Sequence, residues 1–249
     1  MAETGGPRAG DVAAALALLS RVPVRADHRR GAAAAWAWPV AGALLAAMAA
    51  AAGWAALALG LPAAAAAGLV LAVQVATTGA MHEDGLADTA DGLWGGADPA
   101  RRLEIMKDSR IGAYGVLALI LGVGLRWTLL TALFAAGTVW APLIAAGMVS
   151  RAAIVAAMRR LPPARPGGLS ALVGRPAATG EALALALGLA GAVVLCGAAG
   201  LGAALAAAAA AVGLGQLARA KIGGQTGDIL GAVQQVAEIA ALTVLAAAL

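Results

Sequence analysis

The 249-residue chain is 62% hydrophobic and only 12% charged, with a mean hydropathy of +0.87 and a formal net charge of +4. Soluble domains carry about twice that charged fraction. These values exclude a disordered chain, a basic nucleic-acid-binding domain and an ordinary cytosolic enzyme, and they point to a polytopic, all-α membrane protein. The lone Cys196 lies in an apolar run, which excludes a disulfide framework and a cysteine-rich metal site.

In chain order, residues 12–19 (VAAALALL) follow Arg8 and Asp11. The run is short, and no clear small-residue cleavage site follows it. It reads as a helix lying on the bundle surface rather than as a signal peptide. A bilayer core of about 30 Å needs about 20 apolar residues per helix. No charged residue occurs between Arg30 and His82, which gives two spans, 34–55 and 62–81, with a turn near Gly60 and Pro62. From Ile111 to Met158 the only charges are Arg126 and Arg151, giving spans 113–135 and 138–158. Residues 182–218 carry no charge, and the glycines between Gly197 and Gly202 offer a turn between spans 182–199 and 201–218. The last span, 229–249, is interrupted only by Glu238. The expectation is one membrane-embedded domain over 1–249 with about seven helices.

Charge placement orients these spans. Every Lys and Arg except Arg126 and Arg151 falls in 1–33, 82–112, 159–181 or 219–228. Those segments share one side of a seven-span chain. The positive-inside rule makes that side cytoplasmic, with the N-terminus in and the C-terminus out. The pI near 10.2 then reflects topology, and no nucleic-acid partner is needed to explain it.

Seven of the 13 acidic residues lie between Glu83 and Asp108, in the cytoplasmic loop 82–112. Asp84, Asp88 and Asp91 are spaced i, i+4, i+7 and share one helix face. Like charges there repel, and a divalent cation offsets them best. Hard oxygen ligands favour Mg²⁺, with Mn²⁺ next. The alternative is a solvated acidic loop end. Gly85 and Gly92 each follow an aspartate and admit a phosphate or a second backbone close to the carboxylates. Gly95 and Gly96 end the helix, and Asp98-Pro99 starts another as N-cap and first residue. On that helix Glu104 and Asp108 either complete a two-metal site, with Arg101 and Lys107 holding phosphate, or make ordinary surface pairs. This set suits phosphoryl or diphosphate chemistry. His82 or one carboxylate serves as base, with His82 the weaker candidate because it lies on the opposite face.

Residues 221–232 (KIGGQTGDILGA) form a second polar cluster. Gly223, Gly224, Thr226 and Gly227 make an amide-rich loop at a helix start, suited to anions. With Asp228 they form a candidate substrate-binding set, although Asp228 taken alone reads best as the N-cap of the last helix. Glu238, deeper in that span, marks a functional or pairing site, with Arg126 and Arg151 as partners.

The strings MHEDGLADTADGLWGG (81–96) and RRLEIMKDSRIGAYG (101–115) resemble the signature of the cobalamin synthases, the adenosylcobinamide-GDP ribazoletransferases. LLSRVPVR (18–25), AWPVAGALLA (37–46) and GGQTGDILGA (223–232) resemble the same family. The resemblance implies a multi-pass enzyme of the bacterial inner membrane with a cytoplasm-facing site and Mg²⁺ as cofactor. Its substrates would be adenosylcobinamide-GDP and α-ribazole or its 5′-phosphate, its products adenosylcobalamin (or its phosphate) and GMP. A homo-oligomer is left open. The resemblance puts metal and diphosphate on Asp84, Asp88 and Asp91, with Glu83 nearby and Glu104 and Asp108 completing the site. Arg101, Arg102, Lys107, Arg110, Arg126 and Arg151 would hold phosphate. The low aromatic content leaves few residues for ring stacking, Trp94 and Tyr114 among them. Three other readings compete. A CDP-alcohol phosphotransferase would show DGxxAR where DGLAD stands, and a membrane prenyltransferase would need a second Asp-rich motif. A secondary transporter would use Glu238, Arg126 and Arg151 as its coupling site.

Overall fold

The computed structural model describes residues 6–249. Helix α1 (Gly10–Leu19) leads through a 3₁₀ segment (His28–Ala37) into α2 (Trp38–Ala58). Then come α3 (Ala63–Thr78), α4 (Met81–Gly95), α5 (Pro99–Ile105), α6 (Ala113–Ala135) and α7 (Trp140–Arg160). A short α8 (Leu169–Val173), a long α9 (Ala178–Ile222) and α10 (Gly227–Ala247) complete the chain. The bundle is all-helical, and α7 and α10 are its most buried long helices.

Among the described residues, five helices are long and apolar enough to cross a membrane, or six if the bent pair α3–α4 counts as one span. The protein is thus a multi-pass membrane protein, and its helices depart from unbroken single spans in two places. The span expected at 62–81 stops at Thr78, because Gly79 (φ 66°) and Ala80 (φ 60°) are both left-handed and turn the chain by 88° into α4. A left-handed alanine costs about 1–2 kcal/mol. The bend is therefore held by its surroundings rather than by local preference. The spans expected at 182–199 and 201–218 lie in the one long α9. Gly197 interrupts it with φ 58° and ψ −134°. A Cβ on Gly200 would stand 1.9 Å from the Ala192 carbonyl oxygen. Eight residues of straight helix would separate these by about 12 Å, so α9 doubles back into two packed arms.

Apolar burial cannot drive helix association in lipid, so small residues and close backbones must. The crossing of α2 and α7 shows this. A Cβ on Gly42 would sit 2.3 Å from the Gly147 carbonyl oxygen, and one on Gly147 would sit 2.7 Å from that of Gly42. Gly53 likewise admits Phe134 and Val70. The surface helix α1 is fastened by an ion pair. Arg30 Nε donates to Asp11 Oδ1 at 2.7 Å and Trp36 Nε1 to Asp11 Oδ2 at 2.7 Å. Burial pushes the Asp11 carboxyl up, but these donors outweigh it and hold it at about 2.

Gly42→Leu should destabilise the protein by about 1–3 kcal/mol, the cost of overpacking a filled contact. Gly68→Ala, in α3 with open space around it, should be neutral or stabilise by about 0.5–1 kcal/mol. Thermal unfolding of both variants in detergent checks this pair.

Candidate active site

The acidic segment is placed by its non-acidic neighbours. The bend at Gly79–Ala80 aims the first turn of α4 into the bundle, burying His82 and Glu83. Glu83 Oε1 accepts from Arg126 Nη1 of α6 at 2.8 Å and from Gln235 Nε2 of α10 at 3.1 Å. Arg126 Nη2 also lies 3.1 Å from Glu238 Oε1, and it donates to Gln74 Oε1 of α3 at 2.8 Å. Arg151 Nη1 of α7 donates to Glu238 Oε2 at 2.9 Å. Gln234 donates to the same oxygen, and Gln74 Nε2 to Glu238 Oε1 at 3.2 Å. Two guanidiniums and two carboxylates therefore cancel inside one polar network that ties together α3, α4, α6, α7 and α10. Glu238 pairs with Arg126 and Arg151, as its sequence position implied.

The aspartate face of α4 points elsewhere. Asp84 is exposed, Asp88 half-buried and Asp91 buried. Asp91 is occupied: Gly112 N–H donates to its Oδ2 at 2.7 Å and Gly115 N–H to its Oδ1 at 2.9 Å. It caps the start of α6, whose own N-cap Gly112 offers no side chain. Either glycine, given a Cβ, would run into the Asp91 carboxylate, at 2.5 Å from Gly112 and 2.4 Å from Gly115. Gly85 performs the same service on another side. A Cβ there would meet the Asp228 carbonyl oxygen at 2.8 Å, so its absence lets α10 start against α4. Asp84, Asp228, Asp91 and Arg165 are the charges that act on Asp88.

The sequence alone did not single out Arg165. It lies in the Pro- and Gly-rich 161–168 stretch, which pairs with the Gly223–Gly227 loop. Gln225 N–H donates to the Pro162 carbonyl at 2.8 Å, and Ala164 N–H to the Gln225 carbonyl at 2.9 Å. Gly224 permits this approach, since a Cβ there would lie 2.0 Å from the Pro162 oxygen. The pairing delivers Arg165 Nη2 to Asp228 Oδ2 at 3.2 Å.

Several expected site residues have other partners. Glu83, Arg126 and Arg151 pair within the buried network, with Glu83 Oε2, Arg126 Nε and Arg151 Nε left without a hydrogen-bond partner there. Glu104 pairs with Arg101 at 3.0 Å and Asp108 with Arg110 at 2.6 Å, both at the surface. Arg110 holds the Asp108 carboxyl below its ordinary value. Arg102 donates to the Lys221 and Ala97 carbonyls, and Lys107 is exposed. Asp98 and Pro99 start α5 as expected, with Asp98 accepting from the Arg101 N–H at 3.0 Å. The cap of α10 is Thr226, accepting from the Ile229 N–H at 3.3 Å, and not Asp228, whose carboxylate accepts from the Thr226 hydroxyl instead. Gly223 (φ 82°) ends α9 with its N–H donating to the Arg219 carbonyl at 3.0 Å, and Gly224 faces Pro162. His82 lies beside Trp38 and Leu230, away from the aspartate face, with Nε2 unpartnered. Trp94 is half-exposed, and the Lys221 ammonium sits 4.7 Å from its ring centroid.

Among the described residues, no three Asp, Glu, His or Cys side chains form a group able to hold a metal ion. Asp91 itself is turned onto α6. What is left around Asp88 is a hard-oxygen set, Asp84, Asp88 and Asp228, with one arginine beside it. Mg²⁺ is characteristically held by one or two carboxylates, with substrate phosphates and waters filling its remaining positions. An incomplete carboxylate set fits that mode and does not fit a closed structural metal site.

The sequence model of the cobalamin-5-phosphate synthase family matches residues 11–246. A Bradyrhizobium diazoefficiens protein named adenosylcobinamide-GDP ribazoletransferase is 48% identical over 213 residues, covering 85% of this chain and 82% of that protein. Proteins of the same name from Azorhizobium caulinodans and Sinorhizobium medicae are 46% and 43% identical, over 93% and 96% of this chain and 93% and 97% of their own. No solved structure matches the chain.

Arg126→Leu should destabilise the protein by about 3–5 kcal/mol, because Glu83 and Glu238 are left buried with less compensation. Arg101→Ala removes only an exposed pair and should cost at most about 1 kcal/mol. Unfolding midpoints in detergent separate the two cases.

Proposed function

Because the chain belongs to the cobalamin-5-phosphate synthase family, a family of late cobalamin-synthesis transferases, we propose that it catalyses the reaction its relatives are named for. Adenosylcobinamide-GDP and α-ribazole, or its 5′-phosphate, are joined and GMP is released. The observation that carries the site assignment is the meeting of Asp84 and Asp88 of α4 with Asp228 of α10 and Arg165, on the face of α4 not committed to the buried network. We place that face in the cytoplasm at the bacterial inner membrane. The basic segments that flank it support this side through the positive-inside rule.

The reaction replaces one phosphorus–oxygen bond by another. A ribazole hydroxyl oxygen bonds to the phosphorus attached to cobinamide. The bond from that phosphorus to the bridging oxygen breaks, and GMP departs with the electron pair. The hydroxyl proton passes to a carboxylate of the Asp84–Asp88 face. Asp88 and Asp228, together with substrate phosphates, would hold Mg²⁺, which when bound neutralises diphosphate charge. Arg165 bonds phosphate oxygens through its planar fork, and its present partner Asp228 keeps it oriented. Asp91 serves as a positioning residue: it fixes α4 against α6 and touches neither substrate. Glu83 fixes the other end of the same helix. The exposed Trp94 at the end of α4 offers a flat face for one of the rings.

Purified protein in lipid with Mg²⁺ should release GMP from adenosylcobinamide-GDP only when α-ribazole or its phosphate is added. Asp84→Asn and Asp88→Asn should each lower turnover by roughly a hundredfold or more without lowering the unfolding midpoint. Glu104→Gln and Asp108→Asn should keep near-normal rates. Folded protein that releases no GMP overturns the reaction, and two near-normal aspartate variants overturn the site.

A further inference from the structure

Away from the aspartates, α7 and the two arms of α9 enclose a groove of about 490 Å³. The small residues Ala153 and Ala156 of α7 and Ala208 of the second α9 arm leave it open, and Leu189, Leu205 and Val212 wall it. Along this length its lining is apolar. At one end stand Arg160, Gln216 and Arg219. Arg159 and Arg160 share a single carboxylate, with Arg160 Nε 2.7 Å and Arg159 Nε 3.0 Å from the two oxygens of Glu181. Arg219 is exposed and forms no ion pair among the described residues. The end therefore carries three guanidiniums against one carboxylate.

An apolar trough closed by excess positive charge has the polarity of an anionic amphiphile. The helices that form it have the composition of membrane spans, so the trough opens towards lipid. From Leu205 to Arg219 the second arm rises about 21 Å. One leaflet's hydrocarbon occupies roughly 15 Å. The groove thus accepts an acyl chain with its headgroup phosphate level with the arginines. Guanidinium and phosphate form charge-assisted, bidentate hydrogen bonds.

We propose that this groove binds one anionic phospholipid, with an acyl chain between α7 and α9 and the phosphate held by Arg160 and Arg219. The bound chain fills space that the alanines leave between α7 and the α9 hairpin.

The full-length protein, in detergent, is incubated with phosphatidylglycerol and phosphatidylcholine of identical acyl chains at equal concentration. Free lipid is removed and native mass spectrometry reads what stays bound. One phosphatidylglycerol per chain is expected, in clear excess over phosphatidylcholine. Arg160→Gln with Arg219→Gln should lower that preference roughly tenfold. Ala156→Leu with Ala208→Leu should abolish retention of both lipids, while the unfolding midpoint reports that the chain is still folded. Equal retention of the two lipids by the unsubstituted protein overturns the proposal. So does undiminished retention in the leucine variant, or an unchanged preference in the glutamine variant. A lipid-free dimer that the leucine substitutions split into monomers would assign the groove to a second copy of the chain and overturn it as well.

Discussion

A charge inside a bilayer costs about 3 kcal/mol at the helix centre, and this protein buries four in one place. Glu83, Arg126, Arg151 and Glu238 are affordable only together, each partnered and with a net charge of zero. Their pairing sets where five helices meet. Gln74, Gln234, Gln235 and Ser150 add further hydrogen bonds, so little in the cluster can rotate independently. For the chemistry, the important member is Glu83. It sits immediately before Asp84, so the network that holds it also fixes the rotation of α4 and thereby the direction of the aspartate face. Asp91 anchors the other end of the same face on α6.

Glycine supplies the second half of the arrangement. Gly85 lets the start of α10 lie against α4, Gly224 lets the 161–168 stretch lie against the α10 entrance, and Gly112 and Gly115 give the Asp91 carboxylate room. Each contact brings backbone close to backbone or to a carboxylate, where any side chain would intrude. Together they deliver Asp228 and Arg165, from distant parts of the chain, to Asp88.

Much of this was readable from the residues in order. The charge-free runs located the apolar helices, and the i, i+4, i+7 spacing put the aspartates on one face. Glu238 inside a span pointed to Arg126 and Arg151 as partners. What spacing cannot convey is competition for the same group. Asp91 matches Asp84 and Asp88 in sequence, yet the unsatisfied amides of α6 claim it. Glu83 stands next to Asp84, yet a helix turns it 100° away, towards Arg126. Glu104 and Asp108 had salt-bridge partners within three residues, and those local pairs prevail over a distant site. Arg165 was invisible because its position depends on a two-loop pairing that no local periodicity announces. The left-handed Ala80 escaped for the same reason: its conformation is imposed by tertiary contacts against its own preference.

In the proposed site, Asp88 and Asp228, 140 positions apart, act on one phosphate-bound cation while Asp91 does not. Mn²⁺ binding in the presence of GDP, followed by electron paramagnetic resonance on the full-length protein in detergent, tests this without relying on turnover. Nucleotide-dependent Mn²⁺ binding is expected for the unsubstituted chain, with loss in Asp88→Asn and in Asp228→Asn. Asp91→Asn should still bind the ion, with a lower unfolding midpoint from the weakened cap of α6. Undiminished binding in both the Asp88 and Asp228 variants, or loss confined to the Asp91 variant, would contradict the claim.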